Sequence, residues 1–122
     1  MSTNEKELEE LERLKLLLKN RGNINELYDN NWTPLILNSK RGYIEVVKFL
    51  IANGANLNAK SNLGVTALME AVRNDHKEVV ELLLKNGANI NVQDNYGITS
   101  LIKAVRKSNK EMIELLIKNG AD

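Results

Sequence analysis

The chain has 122 residues, of which 43% are apolar, and this is enough for one domain with a narrow but continuous core. Its 17 basic and 16 acidic side chains leave a formal net charge of +1, so no strong overall field favours nucleic acid or an anionic membrane as a partner. Cysteine is absent, which excludes disulfides, thiolate catalysis and sulfur-ligated metal sites.

The amino terminus does not show the basic-then-apolar pattern of an export signal, and no apolar run is long enough to span a membrane. We therefore expect a soluble protein that resides inside the cell, in the cytoplasm.

The first predicted element is an amphipathic helix that ends near Asn20. Ser2 or Thr3 is placed to cap it, and Glu5 and Glu7 lie in its first turn, where the helix dipole favours carboxylates. One face of this helix carries the apolar stripe Leu8, Leu11, Leu14, Leu17 and Leu18. The opposite face, which we expect to contact water, carries Glu9, Glu10, Glu12, Arg13 and Lys19.

The rest of the chain repeats one pattern with a fixed step of 33 residues. Each copy predicts a first helix capped by a threonine, a turn, a second helix with a glutamate in its first turn, and a glycine just past its end. The first helices are predicted at 34–40, 67–73 and 100–106. The aligned positions are Thr33, Thr66 and Thr99; Gly42, Asp75 and Ser108; Glu45, Glu78 and Glu111; and Gly54, Gly87 and Gly120. The predicted units are a capping helix with a half-repeat at 1–27 and full repeats at 28–60, 61–93 and 94–122.

These motifs resemble the ankyrin repeat. The resemblance is carried by the segments Thr33-Pro34-Leu35-Ile36, Thr66-Ala67-Leu68-Met69 and Thr99-Ser100-Leu101-Ile102. It implies an all-α solenoid of stacked helix–turn–helix units with hairpin-like loops and an N-terminal capping helix. An apolar residue replaces the family's histidine in every copy, and we expect extra packing there in place of the histidine's hydrogen bond.

The last copy keeps the apolar pattern of an interior unit at Leu115, Leu116 and Ile117. We interpret this end as unsealed. It predicts either continuation of the solenoid by further repeats or self-association of two copies through the C-terminal end.

No arrangement of residues predicts catalysis, a cofactor or a metal. His76 is the only histidine, and without a second histidine or a cysteine it is interpreted as a structural turn residue. The pairs Glu78–Glu81 and Glu111–Glu114 recur at helical spacing on a solvated face, so we interpret them as surface charge. We therefore predict that the protein is not an enzyme.

The resemblance implies that a partner protein binds the concave face, which is formed by the hairpin tips and the exposed side of the first helices. Carried over to this sequence, the apolar column is Trp32, Val65 and Ile98, and the basic column is Lys40, Arg73 and Arg106. The remaining candidates are Leu63 and Tyr96 at the tips and Arg41, Asn74 and Lys107 at the helix ends. The alternative interpretation is that the basic residues only complement the helix dipoles, and that the segment is structural or self-associating, as a fragment of a longer repeat protein or an engineered scaffold.

Two asparagines, Asn58 and Asn91, lie eight residues after Leu50 and Leu83. This spacing resembles the sites at which ankyrin repeats are hydroxylated by an asparagine hydroxylase in animal cells. The alternative, which we favour, is that these side chains stabilise turns.

Overall fold

A computed structural model describes residues 4–122, and these form seven α-helices. The helices are α1 (Glu5–Lys19), α2 (Pro34–Arg41), α3 (Ile44–Ala52), α4 (Ala67–Arg73), α5 (Lys77–Lys85), α6 (Ser100–Arg106) and α7 (Lys110–Lys118). A short 3-10 turn, Asp29–Asn31, precedes α2. The described part of the chain contains no strand, so the predicted all-α class is confirmed.

The helices stack in two rows. In the first-helix row α2 packs on α4 and α4 on α6, while in the second row α1 packs on α3 and α3 on α5. Within the units, α2 pairs with α3, α4 with α5 and α6 with α7. Helix α1 thus takes the place of a second helix without a first, which confirms the predicted solenoid and its capping helix.

The threonines begin the first helices as predicted. Each hydroxyl accepts the backbone N–H three residues ahead, at 3.2–3.3 Å. Helix α2 continues one residue past the predicted end, to Arg41, and its C-cap is the left-handed Gly42 (φ 74°). The aligned turn residues Asp75 and Ser108 adopt the same left-handed backbone, with φ of 60° and 53°.

Left-handed backbone also closes the second helices. Gly54, Gly87 and Gly120 have φ between 88° and 97°, in agreement with the sequence prediction. At the same register, two residues past the end of α1, the capping unit has Arg21, whose φ is 61°. The capping unit therefore has an arginine in the left-handed backbone conformation, which glycine adopts at least steric cost.

The core lies between the two rows of helices. The apolar residues at the histidine position of the resembled repeat, Ile36, Met69 and Ile102, are buried only in the units that another unit follows. Ile36 and Met69 are each 1% exposed, as predicted, but Ile102 is 37% exposed. Val105 is likewise 53% exposed, whereas the aligned Val72 is 1% exposed. The third unit thus presents to solvent the stacking surface that the second unit buries.

Helix α1 differs from the sequence prediction in three respects. Ser2 and Thr3 lie outside the described residues, and the residue that caps the helix is Asn4, whose Oδ1 accepts the Glu7 N–H at 2.7 Å. The predicted burial of Leu8 is wrong: it is 48% exposed, because Glu7 is the residue of this turn that faces α3, and the next residue on a helix points about 100° away.

The prediction that Glu10 contacts water is also wrong, because its side chain turns towards α2. Its carboxylate accepts hydrogen bonds from Asn38 Nδ2 at 2.8 Å and from Arg13 Nε at 2.9 Å. Burial raises the pKa of Glu10, but these two bonds and the charge of Arg41 outweigh it and hold the pKa below its ordinary value.

Within residues 4–122, no helix has the length and apolarity needed to cross a membrane.

Candidate binding groove

Three hairpins precede the first helices, and the same backbone bond closes each of them. The N–H of Tyr28 donates to the carbonyl of Trp32 at 2.7 Å, and Ser61 and Asp94 make the equivalent bonds to Val65 and Ile98 at 2.9 Å. Each bond places one apolar side chain directly before a capping threonine. The predicted apolar column, Trp32, Val65 and Ile98, is therefore present at equivalent positions of successive units.

Hydrogen bonds also join each hairpin to the next. The Asn62 N–H donates to the carbonyl of Asn30 at 2.9 Å, and the Asn95 N–H donates to that of Leu63 at 2.9 Å. The Asn95 side chain adds a bond from Nδ2 to the Asn62 carbonyl at 2.8 Å. The hairpins thereby form a continuous wall along one side of the first-helix row.

Asp94 organises the third hairpin from within. Its Oδ1 accepts the N–H groups of Tyr96 at 2.8 Å and Ile98 at 3.0 Å, and its Oδ2 lies 3.2 Å from Lys103 Nζ. Burial raises the pKa of Asp94, but these N–H groups and the Lys103 ammonium lower it more, so the net pKa lies below the ordinary value of 3.8.

A groove of about 830 Å³ runs between the hairpin wall and the first-helix row. Trp32, Val65 and Ile98 line one side of it, and each is partly exposed. Arg73 and Arg106 line the other side. The groove is open and combines an apolar strip with charged groups.

The floor of the groove contains a carboxylate that the sequence analysis did not single out. Glu70 is only 3% exposed, and within residues 4–122 the hydrogen bond to its carboxylate comes from Arg73 Nη1 at 3.3 Å. It shares its register with Leu37 and Lys103, a row that lies between the apolar and the basic columns. The repeat period could have identified this row, because it contains an apolar, an acidic and a basic residue in successive copies.

The three residues of the predicted basic column have different surroundings. Lys40 Nζ lies 5.4 Å from the centre of the Trp32 ring, a cation–π arrangement. Arg73 pairs with Glu70, as described above. Among residues 4–122, no carboxylate lies within 4 Å of the Lys40 ammonium or the Arg106 guanidinium. Of the cations that line the groove, Arg73, Lys103 and Arg106, only Arg106 therefore lacks a carboxylate partner among the described residues.

The three candidates at the helix ends are engaged elsewhere. Arg41 turns towards α1, and its guanidinium lies 3.9 Å from Glu10 of that helix. It also lies 5.6 Å from the centre of the ring of Tyr43, the residue before α3. Asn74 Nδ2 donates to the carbonyl of Glu70 at 2.8 Å. Lys107 Nζ donates to the carbonyl of Arg73 at 2.5 Å and so joins two units.

The hairpin tips Leu63 and Tyr96 do border the groove, where they are 54% and 74% exposed. The structure thus brings both tips together with the apolar column and with Arg73 and Arg106.

His76 occupies the predicted turn and contacts the preceding unit. Its Nε2 lies 2.9 Å from the carbonyl of Lys40, and because a carbonyl can only accept, Nε2 carries the proton in this bond. The imidazole lies so close to Gly42 that an added Cβ there would approach Nδ1 to 2.4 Å.

Asn58 and Asn91 act between units. Asn58 Oδ1 accepts the Asn89 N–H at 2.7 Å, and Asn91 Oδ1 accepts the Asp122 N–H at 3.0 Å. Asn25 makes the same bond to Asn56 in the capping unit, at 2.8 Å. These side chains therefore fasten each connecting loop to the next one.

The described residues contain no cluster of three side chains of the types that hold metal ions.

Comparison with known families gives two matches. A family model described as "Ankyrin repeats (3 copies)" matches residues 6–94, and a second, described as "Ankyrin repeats (many copies)", matches residues 74–117. A search of curated proteins gives no significant match.

Proposed function

Because this chain belongs to the ankyrin repeat family, whose repeats are generally protein–protein interaction modules and typically not catalytic, we propose that it binds a partner protein in the groove between its hairpins and first helices. The observation that carries this proposal is the alignment of Trp32, Val65 and Ile98 beside Arg106. Aromatic and arginine side chains at the centre of a contact surface contribute much of the binding energy in protein interfaces.

The groove suits a hydrophobic anchor with an acidic neighbour. The anchor would pack on the apolar column, and the acidic group would pair with Arg106, because Arg73 and Lys103, the other cations that line the groove, already pair with Glu70 and Asp94. Leu63 and Tyr96 would extend the contact at the hairpin tips.

The proposal is tested by affinity purification with the wild-type chain and with a Trp32→Ala, Arg106→Ala variant. A matched control, Leu16→Ala with Lys85→Ala, removes an exposed apolar and a basic side chain from the second-helix row. We expect proteins that both the wild type and the control recover to be missing with the groove variant, at unchanged helix content. Equal recovery by all three would contradict the proposed groove.

A second proposal is self-association through the C-terminal end. It is supported by the exposure of Ile102 and Val105, which occupy the register of the buried Met69 and Val72. A Ile102→Lys, Val105→Lys variant should then sediment as a monomer at concentrations where the wild type forms dimers. Sedimentation of the wild type as a monomer at every concentration would contradict this proposal.

A further inference from the structure

Glu70 on the groove floor is the best starting point for identifying the chemistry of the partner, and the inference rests on the groove proposed above. A carboxylate that is 97% excluded from solvent is expected to accept several hydrogen bonds, because each missing bond leaves part of its desolvation uncompensated. Within residues 4–122, Glu70 accepts one, from Arg73, through Oε1. Its Oε2 is not among the fully enclosed polar atoms that lack a partner, so it keeps some exposure to the groove. Its Oε2 therefore has capacity for a donor that approaches through the groove.

The remaining charges of the groove are arranged asymmetrically. Lys103 and Asp94 pair with each other at 3.2 Å, and Lys40 lies over the Trp32 ring. Among the described residues that line the groove, two charged groups are therefore available to a partner: the Oε2 of Glu70 on α4 and the guanidinium of Arg106 on α6. The groove thus presents one acidic and one basic contact point on neighbouring helices.

We propose that the groove binds an extended protein segment that carries a lysine or arginine opposite Glu70 and an aspartate or glutamate opposite Arg106. Adjacent packed helices lie about 10 Å apart, and an extended chain advances about 3.3 Å per residue. Successive side chains of an extended chain point to opposite faces, so two charged residues that both face the groove are an even number of positions apart. Four positions, about 13 Å, cover the distance between neighbouring helices, whereas two, about 7 Å, do not. An apolar residue midway between them faces the groove as well and packs on Val65 and Ile98.

Charge complementarity distinguishes this partner from a purely acidic one. A polyanion such as a nucleic acid or an acidic tail would match Arg106, but it would bring negative charge against the carboxylate of Glu70, and like charges at an interface oppose binding. A segment with both charges satisfies both contact points.

The test is selection of a displayed random-peptide library against four proteins: the wild type, Glu70→Gln, Arg106→Gln and Glu81→Gln. The last removes an exposed carboxylate from α5 and is the matched control. Wild-type and Glu81→Gln selections should enrich a basic and an acidic residue about four positions apart, with an apolar residue midway between them. Glu70→Gln should lose only the basic preference, and Arg106→Gln only the acidic one.

A synthetic peptide from the wild-type selection provides a measurement that does not depend on the folding of any variant. Replacement of its basic residue by norleucine should weaken binding to the wild-type protein about tenfold, the effect of one buried charge-assisted hydrogen bond. Where Glu70→Gln is folded, the same replacement should leave its affinity unchanged.

The outcomes separate this inference from the groove function itself. Peptides that shift the Val65 and Ile98 resonances without any basic preference, or with acidic preference alone, overturn the inference and leave the groove as a protein-binding site. Failure of every selection to yield a peptide that contacts the groove overturns both.

Discussion

Glu7 Oε2 accepts the backbone N–H of Glu45 at 2.8 Å, so a residue of α1 caps the N-terminus of α3. The same oxygen lies 3.3 Å from the Val46 nitrogen, and Glu7 is 5% exposed. Tyr43, the N-cap residue of α3, makes no such bond with its own side chain. Helix α3 therefore receives its capping acceptor from the capping helix. In α7 the N-cap residue itself has this role, because Asn109 Oδ1 accepts the Met112 N–H.

We expect Glu7→Ala to lower the free energy of unfolding by about 1–2 kcal/mol, because it leaves the partly buried Glu45 N–H and the buried Val46 N–H of α3 without their acceptor. Urea denaturation followed by circular dichroism measures this. Glu9→Ala, at an exposed position of the same helix, should change the free energy by less than about 0.5 kcal/mol. Equal effects of the two substitutions would contradict the assigned role of Glu7.

We expect Arg21→Gly to stabilise the protein by about 0.5–1 kcal/mol. Arg21 has a left-handed backbone, which is costly for a residue with a Cβ, and glycine occupies the same register in the three full units. Thermal and urea unfolding measure the change. The reverse substitution, Gly54→Ala at φ 88°, should destabilise, and a loss of stability in Arg21→Gly would show that the arginine side chain contributes more than the backbone costs.

We expect stability to depend on pH through Asp94. Its folded pKa lies below its ordinary value of 3.8, so the folded state binds fewer protons than the unfolded state. The contribution is complete above that ordinary value and is lost as the pH falls through the folded pKa. Glu10, whose pKa is also lowered, should act in the same direction.

Asp94→Asn should cost about 1–2 kcal/mol at neutral pH, through loss of the charged bond to Lys103, and should flatten the decline in acid. The measurement is the free energy of unfolding in urea over a series of pH values. Asp29→Asn, at an exposed position, serves as the control and should retain the wild-type profile. An equally steep decline in Asp94→Asn would rule out Asp94 as the source.

We expect two substitutions at one register of the repeat to differ in cost. Met69→Ala should destabilise by about 2–4 kcal/mol, because it opens a cavity between packed units, whereas Ile102→Ala should cost less than about 1 kcal/mol in dilute solution. Urea unfolding of the two variants at low protein concentration compares them. Similar costs would mean that Ile102 is covered in solution by a second molecule.

The sequence predicts where the first helices begin and the second helices end, because both depend on local chemistry: a threonine caps the start of each first helix, and a left-handed glycine follows the end of each second helix. It also predicts Trp32, Val65 and Ile98 as one column, since equal steps in sequence become equal positions in a stack. What it misses depends on contacts between distant segments. Glu10 turns away from water because of Asn38, which lies 28 residues further along the chain.

Glu70 was missed for a related reason: an isolated glutamate on a helix resembles ordinary surface charge until the flanking units bury it. Arg41, by contrast, could have been separated from Lys40 on helical geometry alone. Consecutive residues of an α-helix point about 100° apart, so the two side chains cannot both lie in one groove.

The principal packing contacts join each unit only to its neighbours, and this determines what an optical signal can report. The single tryptophan of the sequence lies in the first hairpin, so its fluorescence follows the opening of that end. Circular dichroism averages over all helices. If fluorescence changes at a lower denaturant concentration than circular dichroism, the difference measures how far unfolding spreads from the N-terminal end before the remaining helices unfold together.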